Sequence, residues 1–196
     1  MLFRSYQQSY QQIMYTGGEG IKTDYISDAD LEVVLALLMP QNRLICQLAL
    51  HTGLRIGDVV SIRADQLRPR VTVREAKTGK SKRITIPAKL LDRIKDQAGT
   101  TWAFPGRDPE KHKTRQAVWA DIKRAQKAMR LPANIGPHTL RKVYAVDQFQ
   151  RTGDLRKVAK ALNHSDDAVA MLYAMADYLT AQRAKERTRK RTKPKG

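Results

Sequence analysis

The chain has 196 residues, 41% of them hydrophobic, which is enough apolar material for one sizeable core or two small ones. Its formal net charge is +18 at pH 7. The last 14 residues hold +7 of this charge, so the other 182 residues still carry +11. Such a balance points to a polyanion as partner. No run approaches the roughly 20 apolar residues of a bilayer span, so we expect no membrane partner.

The N-terminal third predicts an arm followed by helices. Residues 1–24 are polar and rich in Tyr, Gln and Gly, which is typical of an arm or linker. The stretch "SDADLEVVLALLM" predicts a helix with Ser27 as its N-cap and Pro40 beyond its end. "NRLICQLALHTG" predicts a second helix ended by Gly53, and "RIGDVVSI" a short third one. The single cysteine, Cys46, is expected to be a small core residue in a reducing compartment.

The pattern changes at "RVTVREAKTGKSKRITIP", where β-branched and charged residues alternate. This predicts a β-hairpin with a basic, glycine-containing tip, closed off by Pro87. Helical spacing then returns up to "DAVAMLYAMADYLTAQRAKERTRK". The fold class predicted is therefore α+β, mostly helical, with a small antiparallel sheet. We expect one compact domain over residues 25–182, between the arm and a basic tail at 183–196.

Several polar residues have both a simple interpretation and a functional one. Arg55 precedes Asp58 by three residues, which on its own favours an ion pair along a solvated helix face. The alternative is an arginine held by a carboxylate so that its planar fork clamps a phosphate. His138 and Arg141 are also three apart, and share one face of the helix predicted from "PHTLRKVYA". They either cap that helix or meet an anion.

Other candidates are weak when taken singly. Lys77, Lys80, Lys82 and Arg83 crowd the hairpin tip, where most of them are expected to be solvated or to contact phosphate. His164 and the aspartates after it would suit the cap of a helix. A tyrosine in an apolar helix, as in "AMLYAM", is usually a core residue. Their order along the chain carries more information than any one of them.

The combination resembles the catalytic signature of the tyrosine recombinases, the phage-integrase family. The residues that carry the resemblance are Arg55 in "TGLRIGD", Lys77 in "AKTGKSKRITIP", His138 and Arg141 in "PHTLRKVYA", His164 in "LNHS" and Tyr173 in "AMLYAM". It runs from about Ser27 to Tyr178 and includes the acidic residue three positions after the first arginine.

The resemblance implies a role for each residue. Tyr173 would attack a DNA phosphodiester and form a 3′-phosphotyrosyl link, which conserves the phosphodiester energy so that no ATP is needed. Arg55 and Arg141 would stabilise the charge that develops on the phosphate oxygens. His138 would assist proton transfer from Tyr173, and His164 would hydrogen-bond the phosphate. Lys77 would protonate the leaving 5′-oxygen. No metal or other cofactor is implied.

The family also implies partners and a place of action. Double-stranded DNA would be the substrate, bound by a tetramer of the protein in a prokaryotic or viral setting, in the cytoplasm and on the nucleoid. The DNA contacts expected first are those of Lys80, Lys82, Arg83, Arg115 and Lys142, with the basic tail adding sequence-independent phosphate contacts. Tyr178 ranks below Tyr173 as nucleophile because five residues turn it to another side of the helix.

Three features depart from the family pattern. Lys142 stands where a second histidine is more common, and Asn163 replaces the usual glycine before His164. Asparagine tolerates a left-handed backbone, so the turn is expected to survive. The third is that about 24 residues cannot supply the DNA-clamping domain of typical members. Two alternatives to a recombinase are kept: a DNA-binding regulatory or accessory protein on the same fold, and a basic structural protein without an active site.

Overall fold

The computed structural model describes residues 26, 28–131 and 133–163. Outside these residues lie Ser27, His164 and the predicted last helix with Tyr173 and Tyr178. Within them, the elements are α1 (Asp28–Leu37), α2 (Pro40–Thr52), α3 (Ile56–Val60), a 3-10 turn (Ala64–Gln66), β1 (Arg70–Arg74), β2 (Ser81–Thr85), α4 (Ala88–Lys95), α5 (Arg115–Ala128), α6 (Pro137–Thr152) and α7 (Leu155–Ala161). The α+β prediction is confirmed, and so are the hairpin and each predicted helix in this range.

Helix boundaries follow from local chemistry. Pro40 lies beyond α1 as predicted, and it also opens α2, where its missing N–H costs nothing. Thr114 caps α5 by accepting a hydrogen bond from the N–H of Ala117 at 3.1 Å. α2 and α6 both end at a glycine in the left-handed region, Gly53 with φ +67° and Gly153 with φ +63°. Glycine adopts this conformation without the strain that a Cβ would add.

The two strands pair antiparallel, with Val71 opposite Ile84 and Val73 opposite Lys82. Because side chains alternate between the faces of a strand, these four residues share the face turned to the protein interior. Val71, Val73 and Ile84 are buried there. Lys82 is therefore placed on the inner face by the register of the hairpin.

The buried apolar side chains form two clusters. The larger one combines residues of α1 to α5 and the hairpin with Leu140, the fourth residue of α6. The smaller one joins α6 to α7 through Tyr144, Ala145, Val146, Val158 and Leu162. Cys46 belongs to the larger cluster, where burial raises the pKa of its thiol, so the prediction of a core cysteine is confirmed. In the part of the chain that the structure describes, no helix is long and apolar enough to cross a membrane.

The end of α2 and the side chain of Tyr144 lie unusually close together. A Cβ placed on Gly53 would lie 2.4 Å from Cδ1 and Cε1 of the Tyr144 ring. We expect Gly53→Ala to lower the free energy of unfolding by about 2–4 kcal/mol, because backbone strain adds to overpacking. Urea denaturation measures this loss.

Gly153→Ala is the matched control, because its φ is also positive but nothing lies within 4 Å of the added Cβ. It should cost about 1 kcal/mol, from backbone strain alone. Equal losses in the two variants would show that the contact with Tyr144 carries no energetic weight.

Candidate active site

Arg141 bridges the C-terminal ends of two helices, α2 and α7, that are distant in sequence. It lies on the second turn of α6, is buried, and donates one hydrogen bond from each terminal guanidinium nitrogen. One goes to the carbonyl of Gly53, at the end of α2, and the other to the carbonyl of Leu162 at 2.9 Å, just after α7. These bonds use two of the five N–H groups of a guanidinium and hold its plane in a fixed orientation.

Lys82 makes a second bridge beside the first. Its Nζ donates to the carbonyl of Thr52 at 2.6 Å and to the carbonyl of Ala161. It also lies 5.4 Å from the centre of the Tyr144 ring, within the range of a cation–π contact. Burial, as the larger cause, and the positive charge of Arg141 together lower the pKa of Lys82 to about 8. The side chain is thus an interior cation.

Arg55, immediately before α3, is held by a carboxylate from the hairpin. Its Nη1 lies 2.8 Å from Oε2 of Glu75, and only 14% of its side chain is exposed. Among the described residues no ion pair joins Arg55 to Asp58, so the simple interpretation of that spacing is wrong. The carboxylate that holds Arg55 is Glu75 and not Asp58, and the phosphate clamp of the second interpretation stays a prediction.

Asp58 instead fixes the start of the hairpin tip. Its Oδ1 accepts a hydrogen bond from the backbone N–H of Ala76 at 2.9 Å, next to Lys77. Burial raises the pKa of this carboxyl, and the Ala76 N–H and the two neighbouring arginines oppose the rise. An acid three residues after an arginine therefore acts here on the backbone of another element.

The remaining predicted residues divide by exposure. His138, on the first turn of α6, is exposed although Arg141 on the next turn is buried. Lys77 is exposed at the hairpin tip. Of the residues expected to contact DNA, Lys80, Arg83 and Arg115 are exposed, Lys142 is half-buried, and Lys82 turns inward onto two carbonyls.

Sequence reasoning missed Glu75 and misplaced the ammonium of Lys82, and one signal would have found both. In β1 the inner positions are Val71, Val73 and then Glu75, the residue after the strand. In β2 the same alternation gives Lys82, Ile84 and Ile86. Each series contains one charged residue in an otherwise apolar row, which is the sign of a charge that has a buried partner.

The site concentrates positive charge. The charges of Arg55 and Arg141 both act on Lys82 and on Asp58, so these four groups lie within electrostatic reach of one another, together with Glu75. Three cations against two acids leave an excess of one positive charge in a partly buried space, which favours the binding of an anion. A phosphate group fits this arrangement, because preorganised guanidinium donors match its oxygens.

Solved structures of recombinases share this fold. The catalytic core of lambda integrase superimposes with a TM-score of 0.63 at 22% identity, over 74% of this chain and 93% of that one. The XerH site-specific recombinase in a post-cleavage complex with its difH substrate gives a TM-score of 0.63 at 18% identity, over 79% of this chain and 50% of that one. The fold is thus that of the lambda integrase catalytic core and of the matching part of XerH.

The family model described as the phage integrase family matches residues 28–180, and this chain belongs to that family. It is 29% identical to the probable integrase/recombinase YoeC of Bacillus subtilis, over 69% of this chain and 77% of YoeC. It is 28% identical to the tyrosine recombinase XerD of Lacticaseibacillus casei, over 68% of this chain and 50% of XerD. Apart from YoeC, the chain spans about half the length of the curated relatives it matches.

The lowered pKa of Lys82 makes stability depend on pH. The folded protein releases this proton near pH 8, whereas the unfolded chain keeps it up to about the ordinary value of 10.5. Between these values the unfolded state binds more protons, so the contribution of Lys82 to stability rises with pH. From about pH 7.5 to about pH 9.5 the gain relative to Lys82→Met should approach 2 kcal/mol.

Chemical denaturation of both proteins across this range measures the difference directly. Groups that titrate in both proteins cancel. A difference between the two unfolding free energies that stays constant with pH would mean that Lys82 keeps an ordinary pKa and is not buried as a cation.

Proposed function

We propose that this chain is the catalytic domain of a site-specific DNA recombinase that cuts and rejoins strands through Tyr173. The observation that carries the proposal is the convergence of Arg55, just before α3, and Arg141, in α6, on one partly buried cationic site. Membership of the phage integrase family supports it. So does the XerH neighbour, whose structure holds a difH DNA substrate after cleavage.

The reaction is a phosphoryl transfer from the 5′-oxygen of the DNA to the phenolic oxygen of Tyr173. The phenolic oxygen of Tyr173 forms a bond to phosphorus as the bond from phosphorus to the 5′-oxygen breaks. The phenolic proton passes to His138, and the leaving 5′-oxygen takes a proton from Lys77. Rejoining is the same step in reverse, with a 5′-hydroxyl as the nucleophile.

The arginines would act on the transition state. Negative charge spreads over the phosphate oxygens during the transfer, and fixed donors in a site of low dielectric stabilise it without reorganising. Arg141 is held by two carbonyls and Arg55 by Glu75, so both guanidinium groups have a defined orientation before DNA arrives. His164 would donate a further hydrogen bond to the phosphate.

DNA would be held mainly by charge. Lys80 and Arg83 on the hairpin and Arg115 at the start of α5 are exposed and free to reach backbone phosphates, and Lys142 lies beside Arg141 in sequence. Assembly of four copies on two DNA sites, as the family implies, would place these contacts on each half-site. The charge of the chain supports a partner of this kind.

The test is covalent capture. Nicked suicide duplexes from the DNA that flanks the gene are incubated with the protein and resolved on a denaturing gel. We expect a DNA-linked protein band for the wild type, none for Tyr173→Phe, and an unchanged band for Tyr178→Phe. Binding of DNA by all three should agree within a few-fold, because one hydroxyl adds little to a charge-dominated interface.

A band that survives Tyr173→Phe would move the nucleophile elsewhere. Tight binding without any covalent band in the wild type would overturn the enzymatic proposal and favour the DNA-binding accessory protein.

A further inference from the structure

Glu75 is a fully buried carboxylate that receives hydrogen bonds from three separate segments. Its Oε2 accepts from Nη1 of Arg55 at 2.8 Å and from the hydroxyl of Thr78 at 3.1 Å. Its Oε1 accepts from the side-chain amide of Asn163 at 2.9 Å. A buried carboxylate is costly unless donors satisfy it, and both oxygens of Glu75 have donors.

Each of the three donors either is a proposed catalytic residue or lies next to one in the sequence. Arg55 is itself a proposed phosphate ligand. Thr78 follows Lys77 directly, and Asn163 directly precedes His164. One carboxylate thus connects three segments that carry proposed catalytic residues, across 20 residues to Arg55 and 88 residues to Asn163.

Asn163 is suited to this contact by its backbone. Its φ of +58° is the left-handed conformation expected for this position, which asparagine and aspartate tolerate better than other residues with a Cβ. A glycine would adopt the same turn but would offer Glu75 no donor. The asparagine therefore does more than preserve the turn, since its side chain fastens the turn to the base of the hairpin.

We propose that Glu75 and Asn163 are a pair of positioning residues that sets Arg55 and the segment entering His164 in register with each other. The proposal rests on the proposed function, because it concerns the rate of strand cleavage. Glu75 fixes the guanidinium of Arg55 through one oxygen and the turn at Asn163 through the other. Loss of either bond lets one side of the phosphate site move relative to the other, which slows the chemical step more than it weakens DNA binding.

The pair can be tested by exchanging its charge. Asn163→Asp places a second carboxylate against Glu75, and two carboxylates at hydrogen-bond distance repel strongly. Glu75→Gln relieves this clash in the double variant, where the new amide donates to the aspartate and its oxygen still accepts from Arg55. The double variant has the charge of the wild type with the acid and the amide exchanged.

Single-turnover cleavage of a suicide duplex at saturating protein is the measurement, with DNA binding recorded in parallel. We expect Glu75→Gln to slow cleavage several-fold and Asn163→Asp to slow it by more than about tenfold. Adding Glu75→Gln to Asn163→Asp should then raise the rate. The same substitution lowers the rate in one background and raises it in the other, which independent structural defects do not produce.

Asn163→Gly keeps the result interpretable if a charged variant fails to fold. It retains the left-handed turn and removes only the hydrogen bond, so the protein should fold, bind DNA as the wild type does, and cleave about tenfold more slowly. Unchanged cleavage by Asn163→Gly, or additive losses in the double variant, overturns the proposal while the wild type still cleaves. A wild type that binds DNA without cleaving overturns the proposed function instead.

Discussion

The hydrogen bonds of the Arg141 guanidinium join the two apolar clusters of the structure. The guanidinium joins the carbonyl that ends α2 to the carbonyl that follows α7, and so connects the larger apolar cluster to the smaller one. Lys82 repeats the bridge one residue earlier on both sides, between the carbonyls of Thr52 and Ala161. Beside these bonds, the Tyr144 ring occupies the space that a Cβ on Gly53 would need. The end of α7, which leads to His164, is thereby fixed against the hairpin and α2.

This construction explains why the site is rich in charge. Carbonyls at helix ends are ready acceptors, and two cations satisfy them while their own charges remain only partly compensated by Glu75 and Asp58. Repulsion by the positive charge of Arg141 adds to burial, the larger cause, in lowering the pKa of Lys82. The folded protein therefore holds an excess of positive charge that a bound phosphate would neutralise. The hydrogen bonds that join α2 to α7 also fix the orientation of the Arg141 guanidinium. Stability and the proposed chemistry share the same residues.

Much of the fold could be predicted from the sequence, because its signals are local. Alternation predicted the hairpin, and Gly53 marked the end of α2. The site was harder, since its contacts join residues far apart in the chain. The partners of Lys82 lie 30 and 79 residues away, and nothing in "GKSKR" indicates them. Spacing points to Asp58, the acid nearer to Arg55 in sequence, and the signal for Glu75 is its place in the inward row Val71, Val73, Glu75. The roles of His164 and Tyr173 stay predictions.

The central claim is that Arg141 stabilises the charged transition state and is not only a bridge between helices. It is tested most directly by cleavage rates on two duplexes, one with an ordinary scissile phosphate and one in which a methyl group replaces a non-bridging oxygen and removes the charge. Arg141→Ala should cleave the ordinary duplex on the order of 100-fold more slowly than the wild type. On the uncharged duplex the gap should shrink at least about tenfold. The rate on the ordinary duplex is divided by the rate on the uncharged duplex for each protein. A smaller fraction of folded protein lowers both rates equally and therefore cancels in this ratio. An equal gap on both duplexes would show that Arg141 acts through structure alone, and the account would be wrong.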